Sequence, residues 1–401
     1  MTMANGKVLR RIRNHPLFLP VYLPSFMGSI CNGLLIPILP LYILSFDVSY
    51  GLVGLFLASN GIGMLVSDVP AGLLLRRLGG RKSMLLGLAF TTLSTFALFW
   101  AQNIPQALVL RLTAGFGMAL FGISRHIYIT ELIALANRGR ANALFGGLMR
   151  IGKFLGPAIG GLGAAFFGLR AVFLLYAGVY VLIFVIVATF IVHRDLPAFK
   201  SSTHQGNPLY ITIKTQYRIL ITAGLGQIFG QLIRSGVVVI VPLYAAEVLG
   251  LKVEAIGLIV SIAAAVDLAF FYPAGLIMDG YGRKYAIVPC FLIQAIGLGL
   301  LPFTYNFSSL LMISALISLG NGLGSGSMLT LGSDLAPEDS RAEFLSLWRF
   351  IGDFGHTGGP LVVGTVAALA TMQFAIWSVS AAGLFAVLVF AHYVPETLKK
   401  H

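Results

Sequence analysis

The sequence predicts an all-α membrane protein in which twelve transmembrane helices form two similar six-helix bundles. Composition is the first reason. Of 401 residues 57% are hydrophobic and only 10% charged, with a mean hydropathy of +0.90, which leaves too little polar surface to cover a water-soluble globule. Apolar runs of about twenty or more residues, each long enough for a helix to cross roughly 30 Å of hydrocarbon, are the second. Internal repetition is the third: PAGLLLRRLGGRK at 70–82 returns as PAGLIMDGYGRK at 273–284. A closed β-barrel would need alternating segments of about ten residues, whereas these runs are continuous and twice that length.

In chain order, residues 1–15 are polar and basic and lead straight into a full-length span, so no cleavable leader is expected. Spans are expected at 17–45, 50–75, 83–101, 106–130, 141–166 and 171–193, then at 219–246, 255–278, 285–304, 309–333, 343–367 and 372–394. The longest polar stretch, HRDLPAFKSSTHQGNPLYITIKTQYR at 193–218, divides six spans from six. The expected domains are therefore residues 1–193, a linker at 194–218, and residues 219–401. Basic residues gather on one side: four in the N-terminal tail, four after span 2, two after span 4, four in the linker, two after span 8, one after span 10 and two after span 12. The opposite loops hold only Arg170 and Lys252. By the positive-inside rule both termini and the linker are cytoplasmic, as in a multi-pass protein of the plasma (inner) membrane. The net charge of +13 thus reports topology, and no nucleic-acid partner is expected. Cys31 and Cys290 both fall inside spans, which argues against a disulfide framework, a metal cluster or a cofactor.

The repeat extends beyond its first copy. PLY occurs at 40–42 and 242–244, and RIGKF at 150–154 returns as RFIGDF at 349–354. Three motifs sit on this frame. Gly275, Asp279, Gly282, Arg283 and Lys284 fit GxxxDxxGRK, and Gly72, Arg76, Arg77, Gly79, Arg81 and Lys82 repeat it with arginine where the aspartate would stand. Span 4 carries Arg111, Gly115, Gly117 and Ala119 as RxxxGxGxA, and span 5 carries Gly152, Gly156, Pro157, Gly160 and Gly161 as GxxxGPxxGG. Together these resemble the major facilitator superfamily over the whole chain, and the span-5 motif is similar to the signature of its twelve-span drug:proton antiporters. The resemblance implies a secondary transporter, usually monomeric. Spans 1, 4, 7 and 10 would line its cavity, while spans 2 with 11 and 5 with 8 would close the interface between halves. It also gives Arg111 a part in proton coupling.

The motifs suit physical tasks. In the loop signature, glycines allow tight turns, and basic side chains can bond the open carbonyls at a helix C-terminus. In span 5, glycines four apart expose backbone for close packing, and Pro157 removes one ladder hydrogen bond. Because Arg76 and Arg77 replace the usual aspartate, a charge-swapped inner gate is expected, with Asp334, Glu338, Asp339 and Glu343 as partners. The alternative is that all are solvated loop charges, worth about 0–1 kcal/mol per pair.

Nine charges lie within spans: Arg111, Arg125, Arg150, Lys153, Arg234 and Arg349 against Asp68, Asp267 and Asp353. Each would cost roughly 2.5–3.5 kcal/mol on a lipid-facing helix centre, so each should face protein or water. On the family's map Lys153 can meet Asp267, and Asp68 can meet Arg349 or Asp353, as bridges between halves that break during transport or as static pairs that fix register. Such carboxylates could also carry protons. Cavity candidates are Asn32, Arg125, His126, Gln227, Gln231 and Arg234. With arginines and no evident acid, the chamber reads as electropositive, suited to a carboxylate or phosphate rather than a cationic drug.

The expected function is transport of a small amphiphilic or anionic organic solute by alternating access, with proton-coupled export. An uncoupled facilitator, an importer and a flippase for lipid-like substrates are the alternatives. The expected partners are the substrate, protons and the lipid bilayer. No phosphate-cradling loop, metal cluster or nucleophile with its base suggests an enzyme, and GLGSGS at 322–327, inside a span, reads as close helix packing.

Overall fold

A computed structural model describes residues 18–132, 138–191 and 208–398. All regular structure among them is helical. Twelve long helices follow in chain order: α1 (Phe18–Leu44), α2 (Tyr50–Leu78), α3 (Gly80–Ala97), α4 (Ile104–Leu132), α5 (Arg138–Phe167), α6 (Ala171–Phe190), α7 (Pro208–Glu247), α8 (Val253–Gly280), α9 (Lys284–Leu300), α10 (Phe307–Leu335), α11 (Arg341–Leu369) and α12 (Met372–Leu388). Ten are individually long and apolar enough to cross a membrane. The other two, α5 and α11, carry charges and runs of small residues, and packing rather than composition accounts for them.

Several helices outrun the expected spans. Residues 208–218, assigned above to the linker, form the first turns of α7. Pro208 suits a first helical position, because its missing N–H would find no intrahelical partner there. Lys214 and Arg218 can lay their stems along the helix while their charges reach water. Likewise α2 runs on to Leu78, so Arg76 and Arg77 occupy its last turn, where the helix dipole favours cations. The turn into α3 is a single residue, Gly79, whose φ of 78° is costly for any residue with a Cβ.

The chain divides into two compact units, Met1–Ile38 with Ile62–Lys200, and Leu39–Gly61 with Ser201–His401. In the first, α5 lies against α1 through a seam of small residues. A Cβ added at Gly152 would stand 2.6 Å from that of Ser29, and one at Gly33 would stand 2.9 Å from the Gly156 Cα. Neither spacing is tolerable without moving backbone. In the second, α11 approaches α7 the same way: a Cβ at Gly359 would lie 2.8 Å from the Leu232 carbonyl oxygen. This unit also holds the start of α2 against α11, with a Cβ at Gly54 2.8 Å from the Gly364 Cα, and the Tyr50 hydroxyl donates to Glu247 Oε2 at 3.4 Å.

Candidate functional site

The two loop signatures show what their basic residues do. In the first unit, Arg81 Nη2 donates to the Ala188 carbonyl at 2.6 Å, in the last turn of α6. In the second, Lys284 Nζ donates to the Ala391 carbonyl at 2.9 Å, just past α12. Each is a cation on the open carbonyls of its unit's sixth helix, an arrangement that helix ends favour. Arg283 is more heavily engaged. Its Nη1 donates to the Met278 carbonyl at 2.7 Å and lies 3.5 Å from Asp279 Oδ1, and its Nε meets Asp334 Oδ2 at 2.9 Å. Asp334 also accepts from Thr397 at 2.8 Å. So Asp334, proposed from sequence as a partner of Arg76 or Arg77, is held within its own unit by Arg283. Arg76 and Arg77 are exposed, as are Glu338 and Asp339.

Glu396 closes the second signature. Its carboxylate accepts from the backbone amides of Arg283 and Lys284, both at 2.9 Å, and from that of Leu398 at 2.9 Å. It thereby occupies the N-terminus of α9, where unpaired amides and the helix dipole favour an anion. Gly282, with φ 129°, leaves the room: a Cβ there would stand 2.6 Å from Glu396 Oε2. Partial burial pushes the Glu396 carboxyl up, but the amides of Leu398, Lys284, Arg283 and Thr397 together outweigh it and hold its pKa below the usual carboxylate value.

Inside the first unit α4 presents two arginines fourteen residues apart, about 21 Å along the helix and on nearly the same face. Arg111 is buried, 8% exposed, in electrostatic contact with Tyr176 of α6. Tyr176 and Tyr180 stack with ring centroids 4.3 Å apart. Arg125 lies between two rings, its Cζ 5.1 Å from the Phe121 centroid and 5.0 Å from that of Phe145, and its Nη1 donates to the Ser25 hydroxyl at 3.3 Å. Two cation–π contacts at about 1 kcal/mol each and one hydrogen bond at about 1 kcal/mol roughly offset the 2.5–3.5 kcal/mol of an intramembrane cation. Arg125 can therefore stay charged without an acidic partner. Asn32 is half-buried on α1 beside buried Cys31, and His126 is exposed.

The second unit repeats the theme. Arg234 on α7 stacks over Phe291 at 5.2 Å, and its Nη2 donates to the Gly324 carbonyl at 3.2 Å and to Cys290 Sγ at 3.5 Å. That carbonyl lies where α10 breaks, between Leu323 and Ser327, with Gly326 left-handed at φ 76°. Asp267 on α8 accepts from Asn321 Nδ2 at 2.7 Å. Gln227 is buried on α7, with its amide nitrogen 2.6 Å from where a Gly352 Cβ would stand; Gln231 is half-buried one turn on. On α11, Arg349 Nε meets Asp353 Oδ2 at 3.4 Å, the two side chains being 56% and 40% exposed. Of the pairs anticipated between halves, each joins residues of different units: Asp68 and exposed Lys153 belong to the first, Asp267, Arg349 and Asp353 to the second.

The model of the Major Facilitator Superfamily matches residues 21–229 and again 223–401. The chain belongs to this superfamily. Among curated relatives, this facilitator is 26% identical over 368 residues to the multi-drug resistance efflux pump PmrA homolog of Lactococcus lactis, covering 88% of each chain. It is 22% identical over 383 residues to the quinolone resistance protein NorA of Staphylococcus aureus, covering 92% of this chain and 95% of that one. Among solved structures, it superposes with a TM-score of 0.76 at 13% identity on a bacterial homolog of the human lysosomal transporter Spinster, covering 94% and 96% of the two chains. With a D-xylose–proton symporter the TM-score is 0.74 at 18% identity, over 94% and 98%. The fold is thus the all-α superfamily fold, and the protein is a multi-pass membrane transporter of small molecules rather than an enzyme.

Sequence reasoning missed several residues of the facilitator's interior and loops. Asn321 sits in GNGLGSGS, a stretch notable mainly for its glycines, although a polar residue inside an apolar run was itself a signal. Tyr176 and Tyr180 are one helical turn apart, a spacing that puts both on one face. Ser25 and Glu396 carried no local signal, since what matters is the element each one reaches across to.

Proposed function

We propose that this facilitator exports a small amphiphilic or anionic organic solute in exchange for protons, by alternating access between two six-helix halves, residues 1–193 and 219–401, joined by the segment at 194–218. The observation that carries the reading is the Arg349–Asp353 pair in α11, a carboxylate inside a span joined to a cation by a contact of 3.4 Å and itself only part-buried. A proton taken up by Asp353 removes the charge that holds Arg349, and its release restores the pair, so the two states differ in which groups can engage the rest of the chamber. Asp68 and Asp267 are further proton-carrying candidates, and Arg111 and Lys153 the cations that exchange partners with them. The GxxxGPxxGG seam of α5 and the efflux relatives favour export over import. Both termini face the cytoplasm in this reading, with Arg76, Arg77, Arg81, Arg283 and Lys284 at the inner mouth.

Reconstitution into vesicles with an imposed pH gradient tests it. With a panel of organic anions and a pH-sensitive dye, native protein should give a substrate-dependent proton flux, and Asp353→Asn should reduce that flux at least about 100-fold, the lower end of the usual scale for one proton-transfer group. Equilibration of substrate without regard to the gradient would replace this reading with uncoupled facilitation.

A further inference from the structure

We propose that Arg125 anchors the acidic group of an amphiphilic monoanion, an alkyl or aryl carboxylate, within the first unit. The inference rests on the transporter reading for how such a ligand reaches the chamber, but not on proton coupling. The rings of Phe121 and Phe145, at 5.1 and 5.0 Å, engage the guanidinium, Nη1 donates to the neutral hydroxyl of Ser25, and the neutral Tyr180 is in electrostatic contact. Among the described residues no carboxylate meets it. A guanidinium carries five donors in one plane, and a pair of them matches the two oxygens of a carboxylate. Ser25 takes up one donor and leaves that recognition capacity largely unspent. The surroundings suit the rest of such a molecule. Phe145 also packs on the buried cluster of Val21, Tyr22 and Ile129, beside Phe18, Tyr128 and Leu148, so the acid would bind next to an apolar flank. Charge discriminates too. Between residues 18 and 191 the sequence holds only Asp47, Asp68 and Glu131 as acids, while Arg111 and Arg125 share one face of α4, so a cation would meet repulsion where an anion meets attraction.

The test is ligand-induced thermal stabilisation of the full chain in lipid nanodiscs, without any gradient, using 1-naphthoate as a water-soluble probe, laurate as a bilayer-partitioning one, and octyltrimethylammonium as the cation. At least one carboxylate should raise the unfolding midpoint and the ammonium should not. Naphthoate alone would indicate entry from water, laurate alone entry from the bilayer. Arg125→Gln should abolish the shift, and Arg125→Lys, which keeps the charge and guards against misfolding, should weaken apparent affinity about tenfold through loss of one charge-assisted hydrogen bond. Lys214→Gln controls for net charge and should bind as the native protein does. Equal stabilisation by the ammonium, or unchanged carboxylate affinity in Arg125→Lys, would overturn the assignment. Because no flux is measured, carboxylate binding can stand while proton-coupled export fails in vesicles, and the reverse.

Discussion

At Arg283 and Lys284 two consecutive backbone amides point at one carboxylate, and this gives Glu396 a pH signature. Its folded-state pKa is depressed below the reference 4.5, so its stabilisation is fully present above that value and is lost as pH falls through the folded pKa. The unfolding midpoint of native protein should exceed that of Glu396→Gln at pH 7, and the gap should shrink toward pH 3, as followed by tryptophan fluorescence in detergent. A constant gap would mean that the carboxylate contributes by shape alone. At this scale the sequence is legible where spacing along one helix sets two side chains together, as with Arg349 and Asp353 one turn apart. It is not legible where the partner lies on a distant helix. The contacts of Asp334 with Arg283 and Thr397 join residues 51 and 63 apart, which charge alone does not announce, and Asn321 escaped notice because an amide among glycines announces no partner.

Helices were legible by their apolar length, and their ends were not. The beginning of α7 and the last turn of α2 are helical because polar and basic side chains can reach water from a continuing helix, which a hydropathy boundary does not register. The glycines of α5 and α11 make a sharper prediction. Gly156→Leu would drive a side chain into the α1 backbone at Ile30 and Gly33 and should destabilise by about 1–3 kcal/mol, seen as a midpoint lowered by several degrees. At the seam between α2 and α11, Gly54→Leu should hold the two helices apart. A cysteine placed at Leu52 or Ala368 should then label faster with a membrane-impermeant maleimide than in the native background. Unchanged rates would show that the seam yields without opening.

For the molecule as a whole, the doubled PAGL and RIGKF patterns announce two halves, and the family model matches residues 21–229 and 223–401. The boundaries of the compact units could not be foreseen, because Leu39–Gly61 joins the second unit through contacts made by glycines whose role depends on what lies opposite. The orientation proposed from the charge distribution is tested by fusions. Green fluorescent protein joined after His401 should fluoresce, whereas alkaline phosphatase at the same place should stay inactive; the opposite pair of results would invert the topology.

The carboxylate that caps α9 also imposes an order on biosynthesis. Glu396 is translated 113 residues after Arg283, so at 5–20 residues per second the α9 amides wait roughly 6 to 23 s for their acceptor. Throughout that interval the first amides of α9 have only water as acceptor, and a chain that stops before residue 396 never gains this cap.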